Sequence, residues 1–123
     1  MDAPRNILIV DDETRIRRII AHTLKEHRFT IYEAENGKVA LEMLKQYVDI
    51  HVMVLDIRIP DINGLELYEL IRQQYPKVKI IISSVYPEDE QEFLIDQADG
   101  YFNKADDIKT LITVVNSVCN VCV

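Results

Sequence analysis

Acidic, hydroxyl and lysine side chains stand directly after short apolar runs of this sequence. An Asp-Asp-Glu segment at 11–13 follows the first run, Asp56 follows the third, a serine pair at 83–84 the fourth and Lys104 the fifth. Carboxylates that converge repel one another, which raises some of their pKa values unless a cation intervenes. Oxygen ligands without His or Cys select Mg2+ or another hard divalent ion, which can neutralise phosphoryl oxygens. A carboxylate can then act as the nucleophile and form an acyl phosphate, whose oxygens Lys104 and a serine hydroxyl can hold.

These groups meet only if the apolar runs are parallel strands of one sheet. The runs at 6–10, 29–33, 51–55, 78–82 and 100–103 are short and mostly apolar, and the first is a β-branched run typical of a strand buried on both faces. Stripes with helical spacing separate them, and the first contains Ile16, Ile19 and Ile20. Five strand–helix units predict an α/β fold, a doubly wound five-stranded parallel sheet with helices on both faces. Ligands of such sheets bind beyond the carboxyl ends of the strands.

The composition limits the classes of partner. The chain has 123 residues, 21 acidic against 14 basic, and a formal net charge of -7. We expect one domain over 1–123, with its core at about 5–120. The acid excess disfavours binding to nucleic acid and to an anionic membrane surface. No apolar run approaches the ~18 residues of a membrane span, and the N-terminus is too polar for a signal peptide, so we expect a cytoplasmic location.

Four motifs in order along the chain carry a resemblance to a known family. They are IVDDE at 9–13, DIRIPDING at 56–64, ISS at 82–84 and YFNK at 101–104. Together they make the chain resemble the receiver domain of two-component response regulators over residues 5 to 120. The resemblance implies a flavodoxin-like sheet with strand order 2-1-3-4-5.

The resemblance also implies a phosphoryl and metal site. Asp56 is then the phosphoacceptor, which receives the group from a histidine kinase or a phosphotransfer protein. Asp12 and Asp56 bind Mg2+ (or Mn2+) directly, together with the backbone carbonyl of Arg58, and Asp11 acts mainly through water. The protein is not expected to be an enzyme beyond slow loss of its own phosphoryl group.

A switch is the further implication of the resemblance. Lys104 pairs with the carboxylate or the phosphoryl group, Ser83 moves to hydrogen-bond the phosphoryl group, and Tyr101 turns inward as the switch aromatic. Such a charge-driven change biases a two-state element. The surface formed by the fourth predicted helix, the fifth strand and the last helix then signals to an output domain or a partner protein, and a homodimer is possible in this family.

The sequence departs from the family pattern after the fifth strand. Proline usually follows the lysine, often with a cis peptide, whereas this chain has Lys104 followed by Ala105. A cis bond without proline costs ~2.5–4 kcal/mol, so either the bond is trans and Lys104 sits differently, or the site holds a strained bond. The stretch from Ser83 to Lys104 is also one residue shorter than usual, which leaves Ser84 as an alternative switch hydroxyl.

Three other functions compete with the first reading. A Mg2+-dependent phosphatase with an aspartyl nucleophile needs a second acid two residues later, where this chain has Arg58. A flavin-binding module on this fold needs a phosphate loop rich in Ser, Thr and Gly after the first strand, where this chain is acidic. A receiver that acts by protein contact without phosphate stays open because of Ala105. The Cys-x-x-Cys segment at 119–122 has no second pair of ligands, which favours packing over zinc or redox chemistry.

Overall fold

The structure is a computed structural model that describes residues 6–58, 61–85 and 98–121, with side chains up to residue 119. Its strands are β1 (Asn6–Val10), β2 (Thr30–Ala34), β3 (Val52–Asp56), β4 (Lys79–Ser84) and β5 (Gly100–Asn103). Its helices are α1 (Thr14–Glu26), α2 (Gly37–Gln46), α3 (Gly64–Gln74) and α4 (Ile108–Val121). The fourth predicted helix, at 88–97, lies outside the described residues, so α4 is the last helix of the sequence analysis.

All neighbouring strands of the sheet are parallel, in the order β2-β1-β3-β4-β5. The predicted doubly wound α/β fold and its strand order are therefore confirmed. Successive strands are added outward in opposite directions from β1 and β3, which lie side by side. Ligand crevices of open α/β sheets form at such a switch point, beyond the carboxyl ends of the strands.

Side chains of the three central strands pack alternately against the two faces of the sheet. One face is covered by α2 and α3 and includes Leu8, Leu55 and Ile82 in its core. The opposite face, which we call the α1/α4 face, is covered by α1 and α4 and includes Ile9 and Ile81 in its core. Because strand side chains alternate with a period of two, residues two apart on one strand join the same face and adjacent residues join opposite faces.

β2 and β3 each lie one residue later than the predicted runs at 29–33 and 51–55, and β4 and α1 differ from the sequence prediction in other ways. β4 continues to Ser84 rather than ending at 82, because Ser83 pairs with Asp56 of β3 and Ser84 pairs with Asn103 of β5. The buried face of α1 consists of Arg17, Ile20, Ala21 and Leu24. The predicted stripe was wrong in placing Ile19 on this face, since Ile19 is 49% exposed and the helix turns Arg17 inward instead.

The start of α2 is fastened to the loop that follows β3. The Asn36 side chain accepts from the Val39 amide at 2.9 Å. The two carboxylate oxygens of Asp61 accept from the amides of Gly37 and Lys38 at 2.9 and 3.0 Å. The first three amides of the helix, which have no partner within the helix, are thereby satisfied. Desolvation opposes ionisation of Asp61, but hydrogen bonds from these two amides and from the amides of Asp61 and Ile62 outweigh it and lower the pKa of Asp61.

Two smaller points concern the helices. Cys119 packs partly buried against the core of the α1/α4 face, and Cys122 lies outside the described residues. Among the residues that the structure describes, no helix combines the length and apolar character needed to cross a bilayer.

Replacing Gly64 with alanine should destabilise the fold, because a Cβ there would overlap the backbone oxygen of Ile57 and lie 2.5 Å from its Cα. Backbone atoms cannot give way as a side chain can, so we expect a loss of about 1–3 kcal/mol, the usual cost of overpacking. The midpoint of urea unfolding measures the loss.

Gly37→Ala is the matched control, because Gly37 also begins a helix. Its added Cβ would meet side-chain atoms of Ile62, with Cδ1 at 2.9 Å and Cβ and Cγ1 at 3.2 Å, and no backbone atom, and the better helix propensity of alanine offsets part of the cost. Equal losses in the two variants would show that the close contact at Ile57 is unimportant.

Candidate functional site

Three carboxylates converge beyond the carboxyl ends of β1 and β3. Asp11 directly follows β1, Asp56 is the last residue of β3, and one oxygen from each of Asp11, Asp12 and Asp56 lies within 4.8 Å of the others. Asp11 and Asp56 are only 2% and 4% exposed, whereas Asp12 is exposed. An all-carboxylate set of this kind suits a hard divalent cation such as Mg2+, so these residues fit the metal that the sequence predicts.

Lys104 provides positive charge inside the acidic cluster. Its Nζ lies 2.7 Å from Asp11 Oδ2, 2.9 Å from Asp56 Oδ2 and 3.5 Å from Glu13 Oε1, and its side chain is 5% exposed. The described residues contain no cis peptide bond, so the bond to Ala105 is trans. Of the two outcomes that the missing proline allowed, the trans bond is the one found, and the ammonium still reaches both buried acids.

The ionisation of Asp56 is unfavourable in this setting. Burial raises its pKa above the ordinary value of 3.8, the charge of Asp11 adds to the rise, and the Lys104 ammonium and the Arg58 amide oppose it without cancelling it. Burial alone would lower the pKa of Lys104, but the hydrogen bonds and charges of Asp11 and Asp56 raise it. One protonated lysine is therefore shared between two acids and does not fully offset the burial of Asp56.

The loop after Asp56 is shaped by the carboxylate itself. Asp56 Oδ1 accepts from the Arg58 amide at 2.9 Å, which folds residues 56–58 into a tight turn. Further along, Asp61 fastens the loop to α2. The carbonyl of Arg58, the last predicted metal ligand, thus belongs to a segment that is held at both ends.

Ser83 lies beside Asp56, and Ser84 does not. Ser83 is in register with Asp56 in the neighbouring strand, so both side chains lie on the α1/α4 face, whereas Ser84 lies on the other face. Ser83 is 1% exposed, and its Oγ has no hydrogen-bond partner. An unsatisfied buried hydroxyl costs about 1–3 kcal/mol, so this donor is available to an acceptor that arrives next to Asp56.

Tyr101 is not brought into this cluster. It pairs with Ile82 and packs half-buried on the face covered by α2 and α3. Its hydroxyl accepts from the Ala98 amide at 3.2 Å. Its role as the switch aromatic stays a prediction.

The sequence analysis missed Arg17, which contacts the site from α1. Arg17 Nη1 donates to the backbone carbonyl of Asp11 at 2.8 Å, and Arg17 Nε donates to Glu33 Oε1 at 3.1 Å. The helical spacing of Arg17 with Ile20, Ala21 and Leu24 was the available signal, since it places a charged residue in line with an apolar face.

The comparisons with known proteins decide the family. The family model of the response regulator receiver domain matches residues 7–116. The chain belongs to the response regulator receiver domain family. This receiver domain is 35% identical to the response regulator ArlR of Staphylococcus epidermidis over 115 residues, which cover 92% of the chain and 52% of ArlR. It is a receiver domain of the two-component response regulator class, and it spans about half, or less, of the length of the curated relatives that it matches.

Solved receiver structures share the fold of this receiver domain. The response regulator TrrA of Thermotoga maritima, solved in complex with Mg2+-BeF, is 32% identical with a TM-score of 0.83, and the match covers 93% of this chain and 98% of TrrA. A CheY-like receiver domain protein from Methanospirillum hungatei has a TM-score of 0.87 at 24% identity, covering 98% and 97% of the two chains. The second match speaks for the fold alone.

In metal-free buffer at neutral pH, Asp56→Asn should unfold at a higher temperature than the wild type. The folded-state pKa of Asp56 is raised, so the stability that its protonated form contributes is complete below the ordinary value of 3.8 and is lost as the pH rises through the folded-state pKa. An amide does not ionise and escapes this loss. Circular dichroism melts between about pH 4 and pH 7 should therefore show a gap that widens with pH.

Asp12→Asn serves as the control, because Asp12 is exposed and its removal spares no buried charge. It should give a smaller gap than Asp56→Asn. A wild type that unfolds at a higher temperature than Asp56→Asn at neutral pH would contradict the unfavourable ionisation of Asp56.

Proposed function

We propose that this receiver domain accepts a phosphoryl group on Asp56 from the phosphohistidine of a histidine kinase or a phosphotransfer protein. The observation that carries the proposal is the surroundings of the Asp56 carboxylate. It is buried beside an ammonium group, two further acids and a serine hydroxyl without a partner. A phosphoryl group on Asp56 would find donors there for its new oxygens.

A divalent cation, Mg2+ (or Mn2+), is part of the proposal. Asp12, Asp56 and the backbone carbonyl of Arg58 would hold it directly, and Asp11 mainly through water. When bound, the ion supplies positive charge that offsets the repulsion between the acids and the incoming phosphoryl oxygens. Support comes from the spacing of the three carboxylates and from the Mg2+-BeF complex of the related TrrA.

The transfer itself is a substitution at phosphorus. A carboxylate oxygen of Asp56 attacks the phosphorus atom, and the P–N bond of the phosphohistidine breaks. The electron pair of that bond stays on the imidazole nitrogen. If the phosphohistidine ring was unprotonated, the departing imidazolate anion takes a proton from solvent. The product is an acyl phosphate on Asp56, and Lys104 and Ser83 then donate to its oxygens.

The phosphorylated site would act on the rest of the domain through β4 and β5. The acyl phosphate brings more charge and more acceptor oxygens than the carboxylate, so Ser83 is drawn toward it. We propose that this displacement, together with an inward turn of Tyr101, alters the surface formed by the segment before β5, by β5 and by α4. That surface would signal to an output domain or partner protein, or in a homodimer.

The proposal also covers the extent of the domain, its location, its catalytic activity and its binding to nucleic acid. The chain would form one domain over 1–123, with its core at about 5–120, and would work in the cytoplasm. It would catalyse nothing beyond slow loss of its own phosphoryl group. With a net charge of -7, the domain itself would not bind nucleic acid.

Incubation with Mg2+ and a small phosphodonor tests the proposal. The wild type should gain the mass of one phosphoryl group, and beryllofluoride should bind with the same requirement for Mg2+. Asp56→Asn should do neither, because the nucleophilic oxygen is replaced by an amide nitrogen. A wild type that neither binds Mg2+ nor gains mass would refute the phosphoacceptor function.

The two serines give a second test. Ser83→Ala should slow the gain of the phosphoryl group by up to about tenfold, the equivalent of one hydrogen bond worth about 0.5–1.5 kcal/mol. It should leave the unfolding temperature unchanged or raise it, because the lost hydroxyl has no partner.

Ser84→Ala is the matched control, because Ser84 is the next residue of the same strand and lies on the other face of the sheet. It should be phosphorylated at the rate of the wild type. Slower phosphorylation of Ser84→Ala than of Ser83→Ala would reverse the assignment of the two hydroxyls.

A further inference from the structure

Arg17 is a buried cation outside the set of residues that the sequence motifs indicate. It is 8% exposed and lies on the inner face of α1 with Ile20, Ala21 and Leu24. Arginine is almost never fully buried unless it is paired, so its partners explain why it lies there.

The guanidinium of Arg17 joins two parts of the fold. Its Nε donates to Glu33 Oε1 at 3.1 Å, and Glu33 belongs to the edge strand β2. Its Nη1 donates to the backbone carbonyl of Asp11 at 2.8 Å. A guanidinium is planar and presents its donors in a rigid fork, so the ion pair with Glu33 fixes the direction from which Arg17 approaches Asp11.

The bond to Asp11 completes the restraint of that residue. The Asp11 amide donates to the Ala34 carbonyl at 3.0 Å, Oδ1 accepts from the Glu13 amide at 2.9 Å, and Oδ2 pairs with Lys104 at 2.7 Å. The carbonyl that Arg17 holds is half of the planar peptide unit that leads to Asp12.

Asp12 depends on this peptide unit for its position. Its side chain is exposed, so packing does not hold it in place. One of its carboxylate oxygens nevertheless lies within 4.8 Å of oxygens from Asp11 and Asp56. The orientation of the 11–12 peptide therefore decides where this carboxylate stands.

We propose that Arg17 is a positioning residue, which orients the peptide between Asp11 and Asp12 so that the exposed Asp12 carboxylate stands where Mg2+ would need it. The inference deepens the proposed function and rests on it. Mg2+ demands near-octahedral coordination at about 2.0–2.1 Å, whereas Ca2+ accepts six to eight oxygens at about 2.3–2.6 Å in flexible geometry. Loss of the restraint should consequently harm Mg2+ binding more than Ca2+ binding.

The test replaces Arg17 with lysine in the full chain. Lysine keeps the positive charge, but its single ammonium group lacks the fork that spans Glu33 and the Asp11 carbonyl. The affinities for Mg2+ and for Ca2+ are each read from the rise in unfolding temperature with metal concentration, which follows mass action. We expect Arg17→Lys to weaken Mg2+ binding about tenfold and Ca2+ binding less than threefold, which lowers the Mg2+/Ca2+ selectivity.

Two more variants make the test specific. Glu33→Gln keeps Arg17 and the shape of its partner but removes the charge that orients the guanidinium, so it should lower the selectivity in the same direction by a smaller factor. It also provides the measurement should Arg17→Lys fail to fold. Arg18→Lys is the matched control, since Arg18 is exposed on the same helix, and both affinities should stay at the wild-type value.

The outcomes separate the inference from the proposed function. A wild type that binds Mg2+, together with Arg17→Lys and Glu33→Gln proteins whose two metal affinities change equally or not at all, would overturn the positioning role and leave the phosphoacceptor proposal intact. A wild type that does not bind Mg2+ would overturn both. A fall in selectivity in both variants, with Arg18→Lys unchanged, would establish the role.

Discussion

A single ammonium group shared by two buried carboxylates is the interaction around which the described fold is arranged. Lys104 reaches Asp11 and Asp56 together, and this is possible only because β1 and β3 are adjacent and parallel and because β5 ends at the same edge of the sheet. Loss of the Lys104 ammonium would leave two buried carboxylates without a counter-charge, and uncompensated buried charge is strongly destabilising.

The surroundings of Asp56 lower the stability of the fold but suit the binding of a cation and of a phosphoryl group. Burial raises the pKa of Asp56 in spite of Lys104, and the Ser83 hydroxyl lies buried without a partner. Both deficits concern atoms that face one small region. A cation among the acids would reduce the first, and a group rich in acceptor oxygens on Asp56 would satisfy the second. Unfavourable local features of this kind concentrate where a protein binds or reacts.

The sequence predicts what depends on local pattern. The central strands are buried on both faces, so their apolar runs mark them plainly, and the residues that follow β1 and β3 could be paired in advance because parallel strands end at one edge. The apolar pattern does not predict the extension of β4 to Ser84. Ser83 and Ser84 belong to the strand because they pair with Asp56 and Asn103 of the neighbouring strands.

Other features depend on contacts that no local pattern records. Helical spacing places Arg17 in line with the apolar face of α1, but its partner Glu33 lies on a strand far along the chain, so only the folded chain shows the pair. The effect of Ala105 was left undecided for a related reason, since the long side chain of Lys104 reaches both acids from a trans peptide and the residue types alone do not show that it can.

The bond from Asp61 to the start of α2 bears on how receiver domains can be recombined. Two amides of α2 depend on a carboxylate supplied 24 and 23 residues later in the chain, so the helix depends on the side chain in this loop, whereas the loop needs only backbone amides from the helix. A chimera that imported the loop after β3 from a relative without an acid at this place would deprive the first two amides of α2 of their acceptor and leave only the Asn36 cap. One that imported α2 alone would keep the cap, because the amides that Asp61 binds belong to the backbone and are supplied by any sequence without proline there.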